Sequence, residues 1–251
     1  MRVTVLDTPA NVAQAVAARV ADALAEKPSL VLGLPTGRTP VAAYAELQAM
    51  HAAGRVDFGK ASTFNLDEFA GIDSSHPGSF RQFMERTLFS GINLRHEAIH
   101  FLNGAAADVE AECRAYDAAI EALGGIDLQI LGIGTNGHIG FNEPAATLVS
   151  RSHCVTLLGS TRQDNAALFG GNPEHVPENA LTMGVGTILK ATRIIMVATG
   201  AGKARCIDLA VNGPVTTQLP ASLLQLHRSV EVLVDHAAAA DLKVRSYDRR
   251  L

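Results

Sequence analysis

The stretch IDLQILGIGTNGHIGFNEP, residues 126–144, decides the fold, because an apolar run passes there into a loop rich in glycine. The run over residues 126–133 has the composition of a strand that is covered on both faces, as the strands of parallel sheets are. Ligands of open α/β sheets bind beyond the carboxyl ends of the strands. The stretch therefore predicts a parallel sheet with a binding site in the loop that follows this strand.

The same alternation of β-branched runs and helical patterns extends over the rest of the chain. Apolar residues recur at four-residue spacing over residues 12–24, and Thr8-Pro9 provides a cap and a first-turn proline for that helix. Thr39-Pro40 predicts the start of a second helix in the same way. Other strands are expected at 2–6, 29–34, 61–66, 153–157, 193–198 and 229–234, and other helices at 107–123, 201–211 and 221–226.

This alternation predicts one doubly wound α/β domain over residues 1–251, Rossmann-like, with a mostly parallel sheet and helices on both faces. No repeat or linker marks a domain boundary. The least regular stretch, about 142–180, carries several glycines and prolines. Long irregular segments in compact folds are usually functional or mobile, so residues 145–180 are expected to form a mobile lid.

Composition excludes several classes of protein. Hydrophobic residues make up 47% of the 251 residues and the formal net charge is −4, which fits a packed globular protein and argues against a nucleic-acid-binding surface. The three cysteines are far apart and form no zinc or redox motif. The chain has neither a signal-peptide pattern nor a long apolar run. We therefore expect a cytoplasmic protein that contacts neither membrane nor nucleic acid.

The first loop whose residues are suited to binding a ligand is GLPTGRTP, residues 33–40, between a strand and a helix. Glycine permits a tight turn, and a helix start presents free N–H groups to an anion. Thr36, Gly37, Arg38 and Thr39 would then surround a phosphate with backbone, hydroxyl and guanidinium donors. Arg38 stands where a nucleotide-binding Walker loop requires glycine. A phosphate loop and an ordinary turn capped by threonine both remain open.

The second loop is TFNLDEF, residues 63–69, at the end of a strand. An acidic pair in such a place is commonly a solvated turn. Asp67 is a stronger candidate for a functional residue, because it lies one residue past an apolar strand and faces the predicted crevice. A carboxylate there is suited to remove a proton from the carbon next to a carbonyl group.

The third loop, residues 132–144, contains the GxGxxG pattern of dinucleotide-binding folds. Gly140 and Pro144 interrupt any helix after it, and no acidic ribose ligand follows at the expected distance, so nicotinamide binding is not expected. His138 and Glu143 instead suggest an imidazole held by a carboxylate, which moves protons near neutral pH. The alternative is a histidine with a purely structural role.

Together these loops resemble the glucosamine-6-phosphate deaminase family. The matching motifs follow the family's order and spacing over nearly the whole chain: LGLPTGRTP, FNLDEF, HPGSFRQFM, LGIGTNGHIGFNEP, LTMGVGTIL and LLQLH. The resemblance implies an enzyme of amino-sugar catabolism, an aldose–ketose isomerising deaminase. Such an enzyme converts glucosamine 6-phosphate and water into fructose 6-phosphate and ammonia, and needs neither a metal nor another cofactor.

The resemblance also implies roles for individual residues. Asp67 corresponds to the base that moves a proton between C2 and C1 of the opened sugar. His138 corresponds to the acid/base that opens the ring, with Glu143 as its supporting carboxylate. Some members carry aspartate where this chain has Asn136. An amide orients a neighbour but cannot act as a base, so more of the proton transfer falls on His138 and Glu143.

At the phosphate end, Gly37 and Thr39 correspond to phosphate-loop residues of the family, and Lys203 to a phosphate-binding lysine. A lid arginine that some members place on the phosphate corresponds to Ala167 here. Arg38, where many members have glycine or serine, is hypothesised to supply the missing charge.

The longer, hexameric members bind the activator N-acetylglucosamine 6-phosphate through basic residues after the FNEP motif and through a C-terminal extension. Ala146, His153 and Val155 stand at the corresponding positions, and the chain ends at Leu251. We therefore expect no allosteric site for that activator, and a monomer or small homo-oligomer.

Three alternatives remain: a galactosamine-6-phosphate deaminase, a 6-phosphogluconolactonase-like enzyme and a sugar-phosphate sensor. Lactone hydrolysis has no need of a base at Asp67. A sensor needs no catalytic group, and regulators of that kind carry a helix-turn-helix for which the strand at Arg2 leaves no room. Among the histidines outside these loops, His76 is the strongest candidate for a role beyond packing.

Overall fold

The computed structural model describes residues 1–243, which contain ten strands. They are β1 (Arg2–Leu6), β2 (Val31–Leu34), β3 (Ser62–Asn65), β4 (Asp67–Phe69), β5 (Ile99–His100), β6 (Leu128–Leu131), β7 (His153–Thr156), β8 (Asn179–Thr182), β9 (Arg193–Ala198) and β10 (Val230–Asp235). Seven of the strands form one parallel sheet in the order β1-β10-β9-β6-β2-β3-β5. The other three form an antiparallel sheet in the order β4-β8-β7.

Seven α-helices accompany these strands within the described residues: α1 (Pro9–Glu26), α2 (Arg38–Ala52), α3 (Phe80–Thr87), α4 (Val109–Ala122), α5 (Gly159–Asn165), α6 (Val185–Leu189) and α7 (Ala204–Asn212). Short 3-10 helices lie at Phe89–Gly91, His96–Ala98, Ala166–Phe169, Pro173–His175, Ala201–Lys203 and Pro220–Leu226. No helix within residues 1–243 is long and apolar enough to cross a membrane.

The large sheet is covered on both faces because successive residues of a strand point in opposite directions. In β9, Ile195 packs in a core with the apolar faces of α1 and α2. Its neighbours Ile194 and Met196 pack in a second core with α4, α6 and α7. The predicted doubly wound α/β fold with a mostly parallel sheet is confirmed.

The predicted elements match the structure closely at most positions. The strands at 2–6 and 193–198 have the predicted bounds, whereas the strand predicted at 126–133 forms only over Leu128–Leu131. The second helix begins at Arg38, so the prediction that Thr39 caps it was wrong. Gly37 is the cap, at a φ of 95° that favours glycine. The helix predicted at 221–226 is a 3-10 helix, Pro220–Leu226.

Several elements were not predicted, among them α3 and the small sheet. Its strand β4 follows β3 of the large sheet in the chain, after Leu66, and Asp67 in β4 pairs with Thr182 in β8. The stretch predicted to be irregular, 142–180, contains β7, α5 and two 3-10 helices. It packs through an aromatic cluster that we define as Phe69, Phe80, Phe141 and Phe169, in which the rings of Phe69 and Phe169 are 5.1 Å apart.

Candidate active site

The three loops singled out in the sequence meet because β6, β2 and β3 are neighbours in the sheet. Their carboxyl ends surround a cavity of about 180 Å³. Its lining includes most of the predicted site residues, namely Thr36, Gly37, Arg38, Thr39, Asp67, His138 and Lys203. Asn136 and Glu143 do not line the cavity but contact the His138 segment. The structure therefore brings all nine predicted residues to one place.

One end of the cavity is suited to an anion. Gly37 caps α2 without a side-chain hydrogen bond, and the first amides of a helix have no acceptor within it. Lys203 is half-buried, and its Nζ donates a hydrogen bond of 2.7 Å to the carbonyl oxygen of Ile133. Burial lowers the pKa of Lys203, and the positive charge of Arg38 acts in the same direction. Two cationic groups and a helix N-terminus together favour a phosphate group here.

Asp67 lies in β4 beside this anion end and is only 6% exposed. Its one side-chain hydrogen bond comes from Thr36, whose Oγ1 lies 3.5 Å from Oδ1. Burial and, next, the neighbouring charge of Glu68 raise the pKa of Asp67 to about 7, against a small lowering effect of Thr36. A carboxyl group with that pKa is suited to accept and return a proton near neutral pH.

Glu68 follows Asp67 in the chain but has a different role. Its carboxylate accepts hydrogen bonds from the backbone amides of Phe69, Phe80 and Arg81, each at 2.9 Å. Two of these amides belong to the first turn of α3, so Glu68 ties that helix to β4. Burial raises the pKa of Glu68, while the three amides oppose the rise. The sequence analysis did not identify this role.

His138 is held by the glycine-rich loop and by two polar neighbours. Its ring lies against Gly134, where even a methyl group would overlap the imidazole. Its backbone amide donates to Asn136 Oδ1 at 3.2 Å. Its Nδ1 lies 3.3 Å from Glu143 Oε2, although not with the alignment of a regular hydrogen bond. The loop thus presents one imidazole to the cavity with a carboxylate behind it.

Glu143 is 8% exposed and receives two further hydrogen bonds. Asn136 Nδ2 donates to Oε2 at 2.7 Å, and the hydroxyl group of Thr161 donates to Oε1. Burial acts to raise the pKa of Glu143, but the contacts with His138, Thr161 and Asn136 outweigh it and lower the pKa to about 2. Glu143 is therefore an anion at neutral pH, and its carboxylate lies next to the His138 ring.

Three residues of the predicted lid reach the site without having been predicted. Thr161 bonds to Glu143, Asp164 lines the cavity near Lys203, and Asn165 lines the same cavity. No local pattern in the sequence distinguishes them from other polar residues of the segment. His76, the remaining histidine of interest, stacks on Phe169 with ring centroids 5.6 Å apart. It therefore contacts the predicted lid rather than the cavity.

A second cavity adjoins the site. A larger, more apolar cavity of about 470 Å³ lies between α1 and α2 and shares Arg38 and Lys203 with the site, but neither Asp67 nor His138 lines it. Within residues 1–243, no group of three or more histidine, cysteine, aspartate or glutamate side chains is arranged to hold a metal ion. Asp67 and His138, which line the smaller cavity, are side chains of the kinds that accept and donate protons in catalysis.

Comparison with known proteins gives a consistent result. Residues 7–234 match the family described as glucosamine-6-phosphate isomerases/6-phosphogluconolactonase. The glucosamine-6-phosphate deaminase of Shewanella loihica is 45% identical over 251 residues, which cover 100% of this chain and 93% of that protein. The enzyme of that name from Streptomyces coelicolor is 45% identical over 234 residues, which cover 93% of this chain and 90% of that protein.

Solved structures agree with the sequence comparison. The structure of a monomeric glucosamine-6-phosphate deaminase has a TM-score of 0.92 and 42% identity, and the match covers 96% of this chain and 100% of that one. The 6-phosphogluconolactonase of Trypanosoma brucei has a TM-score of 0.77 at 18% identity, covering 96% of this chain and 98% of that one. The second likeness concerns the fold alone.

Proposed function

This chain belongs to the family of glucosamine-6-phosphate isomerases and 6-phosphogluconolactonases, and we propose that it is a glucosamine-6-phosphate deaminase. It converts glucosamine 6-phosphate and water into fructose 6-phosphate and ammonia. The observation that carries this proposal is Asp67, a buried carboxyl group with a pKa of about 7 in the cavity that His138, backed by Glu143, also lines. A relative of the same name at 45% identity over the whole chain supports it.

The reaction uses these groups in turn. The phosphate binds at the N-terminus of α2 with Arg38 and Lys203. His138, backed by Glu143, moves the proton that opens the sugar ring and exposes the C1 carbonyl group. Asp67 then takes the C2 proton, which that carbonyl acidifies, and returns it to C1. The resulting imine at C2 reacts with water, and ammonia leaves. Each general acid–base step contributes about 10²–10⁴-fold to the rate.

Asp67 also separates this proposal from lactone hydrolysis. Opening a lactone breaks an ester bond and removes no proton from carbon, so it has no need of a base placed at C2. Proton transfer between C2 and C1 explains why the site contains a carboxyl group whose pKa is raised by burial and by the charge of Glu68.

Three further features complete the proposal. Residues 145–180 act as a lid within a single catalytic domain. The enzyme is a monomer, as its relative of TM-score 0.92 is described, and it has no activator site, since Ala146 and Val155 are apolar and His153 stands in place of a lysine or arginine. It works in a reducing compartment such as the cytoplasm, which suits its free cysteines, of which Cys154 is exposed.

The test is an assay of ammonia and fructose 6-phosphate released in parallel from glucosamine 6-phosphate. We expect equal amounts of both products, hyperbolic kinetics, and no change on adding N-acetylglucosamine 6-phosphate. Galactosamine 6-phosphate and 6-phosphogluconolactone serve as competing substrates. Faster turnover of either one would overturn the assignment, and a sigmoidal curve made hyperbolic by the acetylated sugar would overturn the absence of an activator site.

Arg38 is proposed to take the place of the lid arginine. Arg38→Ala removes a charge from the phosphate end and leaves Asp67 and His138 in place, so we expect KM to rise about 10-fold with little change in kcat. Arg55→Ala, which changes the same charge after the far end of α2, is the matched control. An unchanged KM for Arg38→Ala would show that Lys203 and the helix N-terminus suffice.

A further inference from the structure

Thr161 is the residue of the predicted lid that bonds directly to the catalytic acid/base pair. It lies in α5, is 4% exposed, and its hydroxyl group donates to Glu143 Oε1. A buried hydroxyl group needs a partner, and here the partner is a carboxylate that the reaction uses. The contact joins two segments that no pattern in the sequence connects.

The two oxygens of Glu143 obtain their donors from different parts of the molecule. Oε2 is bound within its own loop, by Asn136 Nδ2 at 2.7 Å and by the approach of His138 Nδ1 at 3.3 Å. Oε1 receives a hydrogen bond from Thr161 in the lid. Without Thr161 the carboxylate keeps only the donors on one oxygen and is free to turn about its terminal bond.

The segment around Thr161 is bound together as one piece and packs on the rest of the protein through apolar contacts. Asn165 Nδ2 donates to the carbonyl oxygen of Thr161 at 2.9 Å, and Arg162 donates to carbonyl oxygens of Glu174 and Val176. Phe169, a few residues on, packs in the aromatic cluster. Because these bonds tie Thr161 to its segment, any displacement of the segment displaces Thr161 with it.

We propose that Thr161 is a positioning residue which makes the ring-opening pair His138–Glu143 depend on closure of residues 145–180. The inference rests on the proposed deaminase function. When α5 is seated, Glu143 is fixed on both oxygens and holds His138 in line with the ring oxygen of the substrate. When α5 is displaced, Glu143 loses a donor and the pair loses its alignment. Ring opening is thereby confined to a cavity from which water has been excluded.

The test compares Thr161→Val with Thr161→Ser. Valine keeps the shape and burial of threonine but removes the hydroxyl group, so we expect kcat for glucosamine 6-phosphate to fall about 10- to 100-fold with KM within about twofold. Serine restores the donor and should restore kcat to within about threefold of the wild type. Thr156→Val is the matched control, since its hydroxyl group bonds to Asn179 away from the site.

A second measurement separates positioning from simple loss of the lid. The reduced open-chain analogue 2-amino-2-deoxyglucitol 6-phosphate needs no ring opening, so its inhibition constant should be the same for the wild type and Thr161→Val. Weaker binding by the same factor as the loss of kcat would overturn the proposal, and so would an unchanged kcat. Should Thr161→Val fail to fold, Thr161→Ala removes the same hydroxyl group and carries the same expectation.

Failure of this proposal is distinguishable from failure of the deaminase assignment, because the wild type is assayed first. A wild type that releases no ammonia contradicts the proposed function. An active wild type with an equally active Thr161→Val contradicts only the role of Thr161.

Discussion

Asp67 and Glu143 are two carboxyl groups of one site, almost equally buried at 6% and 8% exposure, and their charge states differ. Asp67 has one side-chain donor, at 3.5 Å, and burial raises its pKa to about 7. Glu143 is also penalised by burial, but its contacts with His138, Thr161 and Asn136 lower its pKa to about 2. Deep burial with a single weak donor raises the pKa of Asp67, whereas the contacts of Glu143 outweigh its burial, so one carboxyl group is suited to exchange protons and the other remains an anion.

The largest effect expected is the loss of catalysis in Asp67→Asn. An amide fills the same space but accepts no proton from C2, so kcat should fall about 10²–10⁴-fold. Asp164→Asn is the control, because Asp164 is an exposed carboxylate that lines the same cavity. Equal losses of kcat in both variants would show that negative charge in the cavity matters rather than a base at Asp67. Asp67 would then no longer be the carboxyl group that exchanges protons.

The same substitution tests the burial of Asp67 through the free energy of unfolding. The folded protein keeps the proton up to a pH of about 7, whereas the unfolded chain loses it near the ordinary value of 3.8. The folded state therefore binds more protons over this range, and wild-type stability falls as pH rises through it. The advantage of Asp67→Asn over the wild type should grow by about 3 kcal/mol between pH 4 and pH 8.

Urea unfolding of both proteins at several pH values measures this difference, with Asp164→Asn as the background. A difference that stays constant with pH would mean that Asp67 titrates as it does in water. The difference in pKa between the two carboxyl groups would then come from the hydrogen-bond donors of Glu143 alone.

Glu143→Gln is expected to have a smaller effect than Asp67→Asn. The amide keeps the size of the side chain but carries no charge, so His138 loses the carboxylate that lies 3.3 Å from its Nδ1. We expect kcat to fall about 10- to 100-fold, the size of one charge-assisted hydrogen bond. Glu85→Gln, whose carboxylate pairs with Arg81 at 3.3 Å on α3, is the control. Full activity of Glu143→Gln would show that His138 works without its carboxylate.

The smallest effect concerns Glu68, whose charge contributes to the raised pKa of Asp67. Glu68→Gln removes that charge and retains an oxygen for the amides of α3. The acidic limb of the profile of kcat/KM against pH should move to lower pH by less than about one unit. An unmoved limb would assign the raised pKa of Asp67 to burial alone.

The sequence was sufficient to predict the large sheet and the position of the site. Apolar runs such as 193–198 form strands because both their faces are covered, and the loops at strand ends then meet at one edge. The prediction failed for elements that form through contacts between residues far apart in the sequence. β4 is the charged segment DEF, and it forms a strand because Asp67 and Glu68 pair with β8 far along the chain.

The same limit applies to the site. The motifs placed Asp67, His138 and Lys203 around one cavity, and the structure agrees. No motif pointed to Thr161, because its contact with Glu143 depends on how α5 packs across residues 145–180. The contrast between the two carboxyl groups was also beyond prediction, since it arises from donors that only the folded chain brings together.

The placement of β1 constrains how the chain is made. β1 lies at the edge of the large sheet and pairs only with β10, so that Thr4 meets Glu231 across 227 positions of sequence. β1 cannot pair until β10 has been made, because the two strands lie near opposite ends of the described residues. The large sheet is therefore completed late, and its folding is slow in the manner of sheets dominated by distant contacts.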